Sequence, residues 1–326
     1  MRRQAFDVLV VGPVARDQLF VTKAEKLGYG DTLDVNEVPI TLAGSGANIA
    51  VGLARLGVKV GLVSAVGRDS HGDAVVKELS AEGVDTQLVA RVSLAETGLG
   101  VTVLHDGAVK APFVLRYQGA NTLIEVTEEV QKTLHTTQWL YVTKCSPAWE
   151  SQLALLLEAL AHEPTRLAWH PGSSEALQWA PRSGGALFAR TDILFLNEEE
   201  AQSLSGAVSG HDTLERTFAG RGVKTVVMSH GDQEAHLLSG QVHLSAPPPQ
   251  AHIRDPRGAG DAFRAGFLAG MVHQAGDLTL SLQWALTNAA SVVGSLTTQR
   301  GLLARTTLEE RLRAQRIVVE KSTIKE

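Results

Sequence analysis

Residues 42–66 read LAGSGANIAVGLARLGVKVGLVSAV, and two periodicities meet inside this one stretch. From 47 to 56 the apolar Ile49, Leu53 and Leu56 fall on one helical face, and Gly57 follows where a helix ends in a left-handed residue. From 58 to 66 β-branched and small residues continue without alternation, the pattern of a strand buried on both faces. Outward from here the pattern repeats. The apolar runs 8–11, 139–143, 167–170, 193–196 and 224–228 read as strands, and 148–161, with Trp149, Leu153, Leu156 and Leu160 on one face, reads as a helix. Such alternation predicts an α/β, doubly wound fold: a mostly parallel sheet flanked by helices, binding ligands beyond the carboxyl ends of its strands.

Two segments break the alternation. Residues 17–42 and 95–121 hold strand-like stretches (33–42, 100–105 and 109–115) with no helix between them, and Asp106-Gly107 reads as a hairpin turn. Antiparallel strands inserted there predict a small β-sheet lid over one edge of a main domain made of 1–16, 43–94 and 122–326; a pair of surface hairpins is the alternative. The tail after Val319 reads as charged and frayed.

Composition narrows the class. Thirty basic and thirty-five acidic residues leave a net charge of −5, and no basic run offers a footprint for nucleic acid. The one cysteine, Cys145, excludes an intramolecular disulfide and a multi-cysteine metal site. The most apolar helix, 153–161, is interrupted by Glu158 and falls far short of the roughly 20 residues of a membrane span. Arg2 and Arg3 precede too short an apolar run for a signal segment. A cytoplasmic globular protein is expected.

Residues 255–270 read DPRGAGDAFRAGFLAG. Gly258, Ala259 and Gly260 open a helix with Phe263, Phe267 and Met271 on one face. Small residues at a helix start leave backbone N–H groups unobstructed, and with the helix dipole they make an anion-binding concavity. Asp261 puts a carboxylate in that first turn. A carboxylate repels an anion, so its placement makes sense as a base that takes the proton of a hydroxyl attacking the anion. A glycine turn with an acidic residue favouring the dipole is the alternative. The GxxxxGK[ST] spacing of a P-loop is absent. Ile49 stands where a dinucleotide fingerprint needs its third small residue, which excludes that pattern; Gly44 and Gly46 still permit close approach, and Asn48 offers a donor and acceptors. Asn197 and Glu200 form a capping-box pair, and a Glu at a strand's carboxyl end can also hold waters of a Mg²⁺ shell. The eleven histidines show no metal-ligand spacing, and His170, at a strand end before Pro171-Gly172, is read as making no ligand contact.

These segments together resemble the ribokinase/PfkB family of carbohydrate and nucleoside kinases. The resemblance rests on AGSGANIA at 43–50 and DPRGAGDAF at 255–263, with GAN at 119–121, NEEE at 197–200, SHG at 229–231 and TNAASVV at 287–293 in order between and after them. It implies transfer of the γ-phosphoryl of ATP to an alcohol, usually a primary hydroxyl, with Mg²⁺ as cofactor. Asp261 is then the catalytic base, and the N–H groups of Gly258, Ala259, Gly260 and Asp261 the anion hole. Asn197 and Glu200 lie by the triphosphate and Mg²⁺, Ser229, Gly231 and Asn288 line the nucleotide, and Asp17, Gly44, Ser45, Gly46 and Asn48 hold the acceptor. Many members bind a monovalent cation near the residue at Asp255. Pro256 and Arg257 stand where two threonines are common, Ala235 and Ala43 where glycines are; Pro256 keeps its carbonyl, which leaves room for K⁺.

For the acceptor, GAN at 46–48 and 119–121 looks like sugar kinases, whereas Asp255-Pro256 and FRAG at 263–266 look like some nucleoside kinases. A neutral sugar is favoured, because an acidic acceptor needs a cation in the pocket and Arg116 is the one candidate. A non-catalytic sugar- or nucleotide-binding regulator is the competing class. Val38, Ile40, Val101 and Val103 alternate as on a half-buried sheet, so a homodimer through the lid is expected.

Overall fold

The computed structural model describes the chain except residues 1–4, 23–29, 31, 33–34, 36–37, 106–111, 144–149, 162, 173–183, 207–209 and 324–326. The expected turn at Asp106-Gly107, Cys145 and the first residues of the 148–161 helix lie outside the described residues.

Strands β1 (Phe6–Val11), β2 (Ala15–Thr22) and β3 (Ile40–Ala43) precede helix α1 (Ser45–Arg55) and strand β4 (Val60–Gly67). Then come α2 (Ser70–Ala81), β5 (Val89–Val92), β6 (Leu99–His105), β7 (Phe113–Tyr117), α3 (Glu128–Leu134) and β8 (Thr137–Thr143). Helix α4 (Glu150–Leu160), β9 (Arg166–His170), α5 (Gly184–Arg190), β10 (Ile193–Asn197), α6 (Glu198–Ser205), α7 (His211–Gly220) and β11 (Thr225–Ser229) continue the alternation. The last elements are β12 (Ala235–Ser239), β13 (Val242–Ala246), α8 (Ala259–His273), α9 (Leu278–Val293), α10 (Arg305–Ala314) and β14 (Glu320–Thr323).

Ten strands form one sheet in the order β14-β13-β12-β11-β10-β9-β8-β1-β4-β5. Its members from β11 to β5 run parallel, as the unbroken apolar runs require. Period-two alternation sends neighbours to opposite layers. Val8, Val10 and Phe195 pack under α1, α8 and α9, while Leu9, Val11, Leu194 and Leu196 pack with the helices of the other face. No helix among the described residues is long and apolar enough to cross a membrane.

Beyond β11 the sheet turns antiparallel through β12, β13 and β14. The tail expected to fray supplies β14, whose residues are exposed yet paired from Glu320 to Thr323 against β13. The small sheet, ordered β3-β2-β6-β7, also departs from expectation. Its central pair, β2 with β6, is parallel from Arg16↔Leu99 to Thr22↔His105, and only the outer pairs are antiparallel. Both central strands leave the main sheet in the same direction, β2 directly from β1, so they run side by side and their return strands fall outside.

Candidate active site

Helix α8 opens at Gly258, whose φ of 79° is left-handed and whose Cα leaves no room for a side chain: a Cβ there would lie 2.8 Å from Thr298 Cβ. No side chain caps this terminus, so the amides of its first turn point outward without intrahelical acceptors. Asp261 stands in that turn, 8% exposed. One carboxylate oxygen accepts from Arg264 Nη2 at 2.9 Å and the other from Asn48 Nδ2 at 2.9 Å. Asn48 is held in turn, its Oδ1 accepting from Thr298 Oγ1 and Gln299 Nε2. Asn48 lies on α1, which starts against the end of β1: Gly46 N donates to Pro13 O at 3.0 Å, and Gly44 takes φ 96° beside that carbonyl. Ser45 is buried, its hydroxyl accepting from Thr143 at 3.4 Å.

Asp17, on β2, sits opposite Gly100 of β6, where a Cβ would come within 2.5 Å of the Asp17 Oδ1. The missing side chain is the space the carboxylate occupies. Thr102 Oγ1 donates to Asp17, and Arg257 Nη1 donates to its Oδ2 at 3.0 Å. The same guanidinium grips Asp255 through Nε at 3.0 Å and Nη2 at 2.7 Å, with a further bond from Nη1 to Thr102. Arg257 thereby ties the small sheet to the loop that launches α8. Burial alone would lower its pKa, but these carboxylates keep it raised.

A second cluster lies at the carboxyl ends of β8 to β11. Asn197 and Glu200 close a complete capping box on α6, and Asn197 pairs in register with Ser229. Both Glu200 oxygens lie 3.2 Å from His170 Nε2, and Thr143 Oγ1 lies 3.2 Å from its Nδ1. Burial pushes the Glu200 pKa upward, but the His170 bond and charge, the Asn197 N–H and the Arg264 guanidinium outweigh it and hold it at about 2. Burial pushes the nearby Tyr141 phenol well up, so it stays protonated. His170 is buried between Thr143 and Glu200.

Four residues singled out in the sequence, Asn288, Asp255, Arg116 and Glu200, have surroundings that differ from the expectation. Asn288 is fully buried; its amide donates to Ala262 O and accepts from Leu303 N, so the side chain joins α9 to α8. Its neighbours Thr287 and Ser291 instead face a cavity of about 680 Å³, lined also by His252, Arg300 and Arg311. Asp255, 0% exposed, accepts from Arg257 N, Nε and Nη2 and from Thr297 N. Its carboxylate is filled by four donors, which does not fit a K⁺ ligand. Arg116 is exposed on β7, and the cation beside Asp17 is Arg257. Glu200 turns its oxygens inward to the cap and His170, and among the described residues no three acidic or histidine side chains converge as a metal cage. Sequence reasoning missed Arg257, Arg264 and Thr102 as site residues; the signal was two arginines inside the glycine motif itself.

Comparison with known proteins identifies the family and the fold. The model of the pfkB family carbohydrate kinases matches residues 5–305. The ATP-dependent 6-phosphofructokinase of Thermoanaerobacterium thermosaccharolyticum is 25% identical over 82% of this chain and 82% of its own. The 5-dehydro-2-deoxygluconokinase of Clostridium perfringens is 27% identical over 90% of this chain and 88% of its own. The ribokinase of Arabidopsis thaliana, solved with ribose and ATP, superposes with a TM-score of 0.81 at 21% identity, over 95% of this chain and 99% of its own.

Proposed function

This chain belongs to the pfkB family of carbohydrate kinases, phosphotransferases with a hydroxyl acceptor, and from that premise we propose that it moves the γ-phosphoryl of ATP to a primary hydroxyl of a small neutral sugar. The observation that carries the proposal is Asp261, a carboxylate fixed from both sides in the first turn of an uncapped helix. Asp261 takes the acceptor's hydroxyl proton as that oxygen bonds to the γ-phosphorus and the bond to the ADP oxygen breaks. The amides of Gly258, Ala259, Gly260 and Asp261 face the charge on the moving phosphoryl group, where each preorganised donor is worth a few kcal/mol of barrier. Mg²⁺ arrives with ATP as part of that substrate.

Asp17 reads the acceptor, its carboxylate accepting a hydrogen bond from a hydroxyl, while Arg257 holds that carboxylate in place. One guanidinium shared by Asp17 and Asp255 leaves the group net negative, so a neutral polyol fits better than an anion. Gly44, Ser45, Gly46 and Asn48 shape the floor beneath it. Asn197, Ser229 and Gly231 border the phosphates, and the cavity at Thr287 and Ser291 has room for the nucleoside. Phe113, Leu115 and Tyr117 on β7 and Ile40 on β3 expose apolar surface, which supports pairing of two small sheets in a homodimer; a monomeric mass by light scattering would refute it.

The test is ADP release with Mg·ATP across ribose, fructose, 2-keto-3-deoxygluconate, fructose 6-phosphate and adenosine, beside Asp261→Asn. Turnover on one neutral sugar class, reduced roughly 10²–10⁴-fold in the variant, is expected. Turnover on adenosine alone, or an unimpaired variant, would overturn the acceptor or the base.

A further inference from the structure

Arg264 lies one helical turn beyond Asp261 on α8, and helical side chains lean back toward the N-terminus. Gly260, four residues earlier, offers bare surface to lean on: a Cβ there would lie 3.1 Å from Arg264 Nη2, 3.2 Å from Nη1 and 3.4 Å from Cζ. The guanidinium therefore rests directly on the helix N-terminus that binds the anion. Its side chain is 9% exposed. Of its five N–H groups, one contact is made, from Nη2 to Asp261. Nε is buried with no hydrogen-bond partner, and the bond to Asp261 is made by Nη2 and not by Nη1.

That economy of contacts separates Arg264 from Arg257, which donates through Nε, Nη1 and Nη2 and grips Asp255 with two of them. A guanidinium kept only to neutralise Asp261 would bind it with both nitrogens, fork to fork. Here Asn48 holds the second carboxylate oxygen. The open side of the guanidinium has Tyr141 and Glu200 as its other titratable neighbours, so a cation stands between the base and the acidic cap of α6. A buried cation with unspent donors beside an anion-binding terminus is a site for a further anion.

We propose that Arg264 is a catalytic residue whose Nη1, the guanidinium nitrogen not engaged by Asp261, donates to an oxygen of the transferring phosphoryl group, so that one helix supplies base, anion hole and cation. This rests on the kinase reading above. The group it binds is the γ-phosphoryl, whose charge shifts onto its oxygens as the bond to ADP breaks.

Calorimetry of wild type, Arg264→Gln and Arg264→Lys with Mg·ADP and with a Mg-bound non-hydrolysable ATP analogue tests it, alongside kcat and acceptor KM. Arg264→Gln should bind Mg·ADP within about twofold of wild type, bind the analogue roughly tenfold more weakly, and lose about 10²–10³ in kcat with acceptor KM little changed. Arg264→Lys should retain part of the preference for the analogue over ADP. Equal weakening toward both nucleotides, or kcat within about fivefold of wild type, would overturn the proposal. Should Arg264→Gln fail to fold, ¹⁵N spectra of the wild-type arginine Nε, assigned with Arg264→Lys, decide: the Arg264 signal should move with the analogue and not with ADP, and an equal response overturns it. A wild type that binds both nucleotides but phosphorylates none of the acceptors fails the acceptor assignment, while the analogue-to-ADP ratio still tests Arg264.

Discussion

Removing the Arg257 side chain should expose how much of this fold hangs on one charge. Asp255 is 0% exposed, and Arg257 supplies it with side-chain bonds at 2.7 and 3.0 Å. In Arg257→Ala the carboxylate keeps only two backbone donors, Thr297 N and residue 257 N, inside a site with no water-facing surface of its own. Stripping one partner from a buried ion pair costs about 3–5 kcal/mol. At ~2.1 cal/mol/K per residue, 326 residues give an unfolding entropy near 0.7 kcal/mol/K, so about 4 kcal/mol lowers Tm by roughly 6 °C. Scanning calorimetry of Arg257→Ala, Asp255→Asn and the double variant measures this. The double variant should be more stable than Arg257→Ala alone, because a neutral amide at position 255 needs no counter-ion. The wild type, whose Asp255 carboxylate is already filled by donors, should turn over equally in K⁺ and Na⁺. A loss under about 1 kcal/mol in Arg257→Ala, or simple additivity in the double variant, would refute the reasoning.

Other perturbations probe separate parts of the site. Glu200, held at about 2 against an ordinary 4.5, contributes stability that is complete above pH 4.5 and disappears as pH falls toward 2; about 3 kcal/mol is at stake, and urea midpoints of the wild type should fall more steeply over that range than those of Glu200→Gln. Gly46→Ala would set a Cβ 2.6 Å from Gly12 C and 2.8 Å from Pro13 O; backbone must part to admit it, costing roughly 1–3 kcal/mol, and kcat should fall with Tm as Asn48 moves off Asp261. Asn288→Ala should cost about 1–3 kcal/mol by orphaning Leu303 N and removing a second donor from Ala262 O, with ATP KM within about twofold of wild type. A large KM change without destabilisation would return Asn288 to the nucleotide site.

The contrast between what could and could not be read from the chain follows from the range of the forces involved. The strands of the parallel sheet were legible because burial on both faces demands unbroken apolar runs, as in 8–11 and 193–196. The capping box at Asn197 and Glu200 was legible because its partners lie three residues apart. The β12–β14 extension was not, since exposed edge strands need no such pattern: β14 is polar and gains its place from pairing alone. Parallel pairing of β2 with β6 is likewise a matter of chain direction. Asn288 was named through the family resemblance, and only the fold shows that its side chain is held between α8 and Leu303.

The arginines mark the deeper limit. Arg257 meets Asp17 across 240 positions, and Asn48 meets Asp261 across 213. A sequence displays the charge but not the partner that cancels it. Both arginines stand within DPRGAGDAFRAG, the motif that identifies the chemistry, yet their consequences differ. Arg257 spends its donors on Asp17, Asp255 and Thr102, and so fixes the charge of the acceptor pocket. Arg264 spends one on Asp261 and keeps the rest beside the anion hole. In the reacting complex that spare capacity meets the one new anion the helix terminus is built to receive, which is why the two side chains should separate in experiment: Arg257 variants through stability and acceptor recognition, Arg264 variants through kcat and discrimination between ATP and ADP.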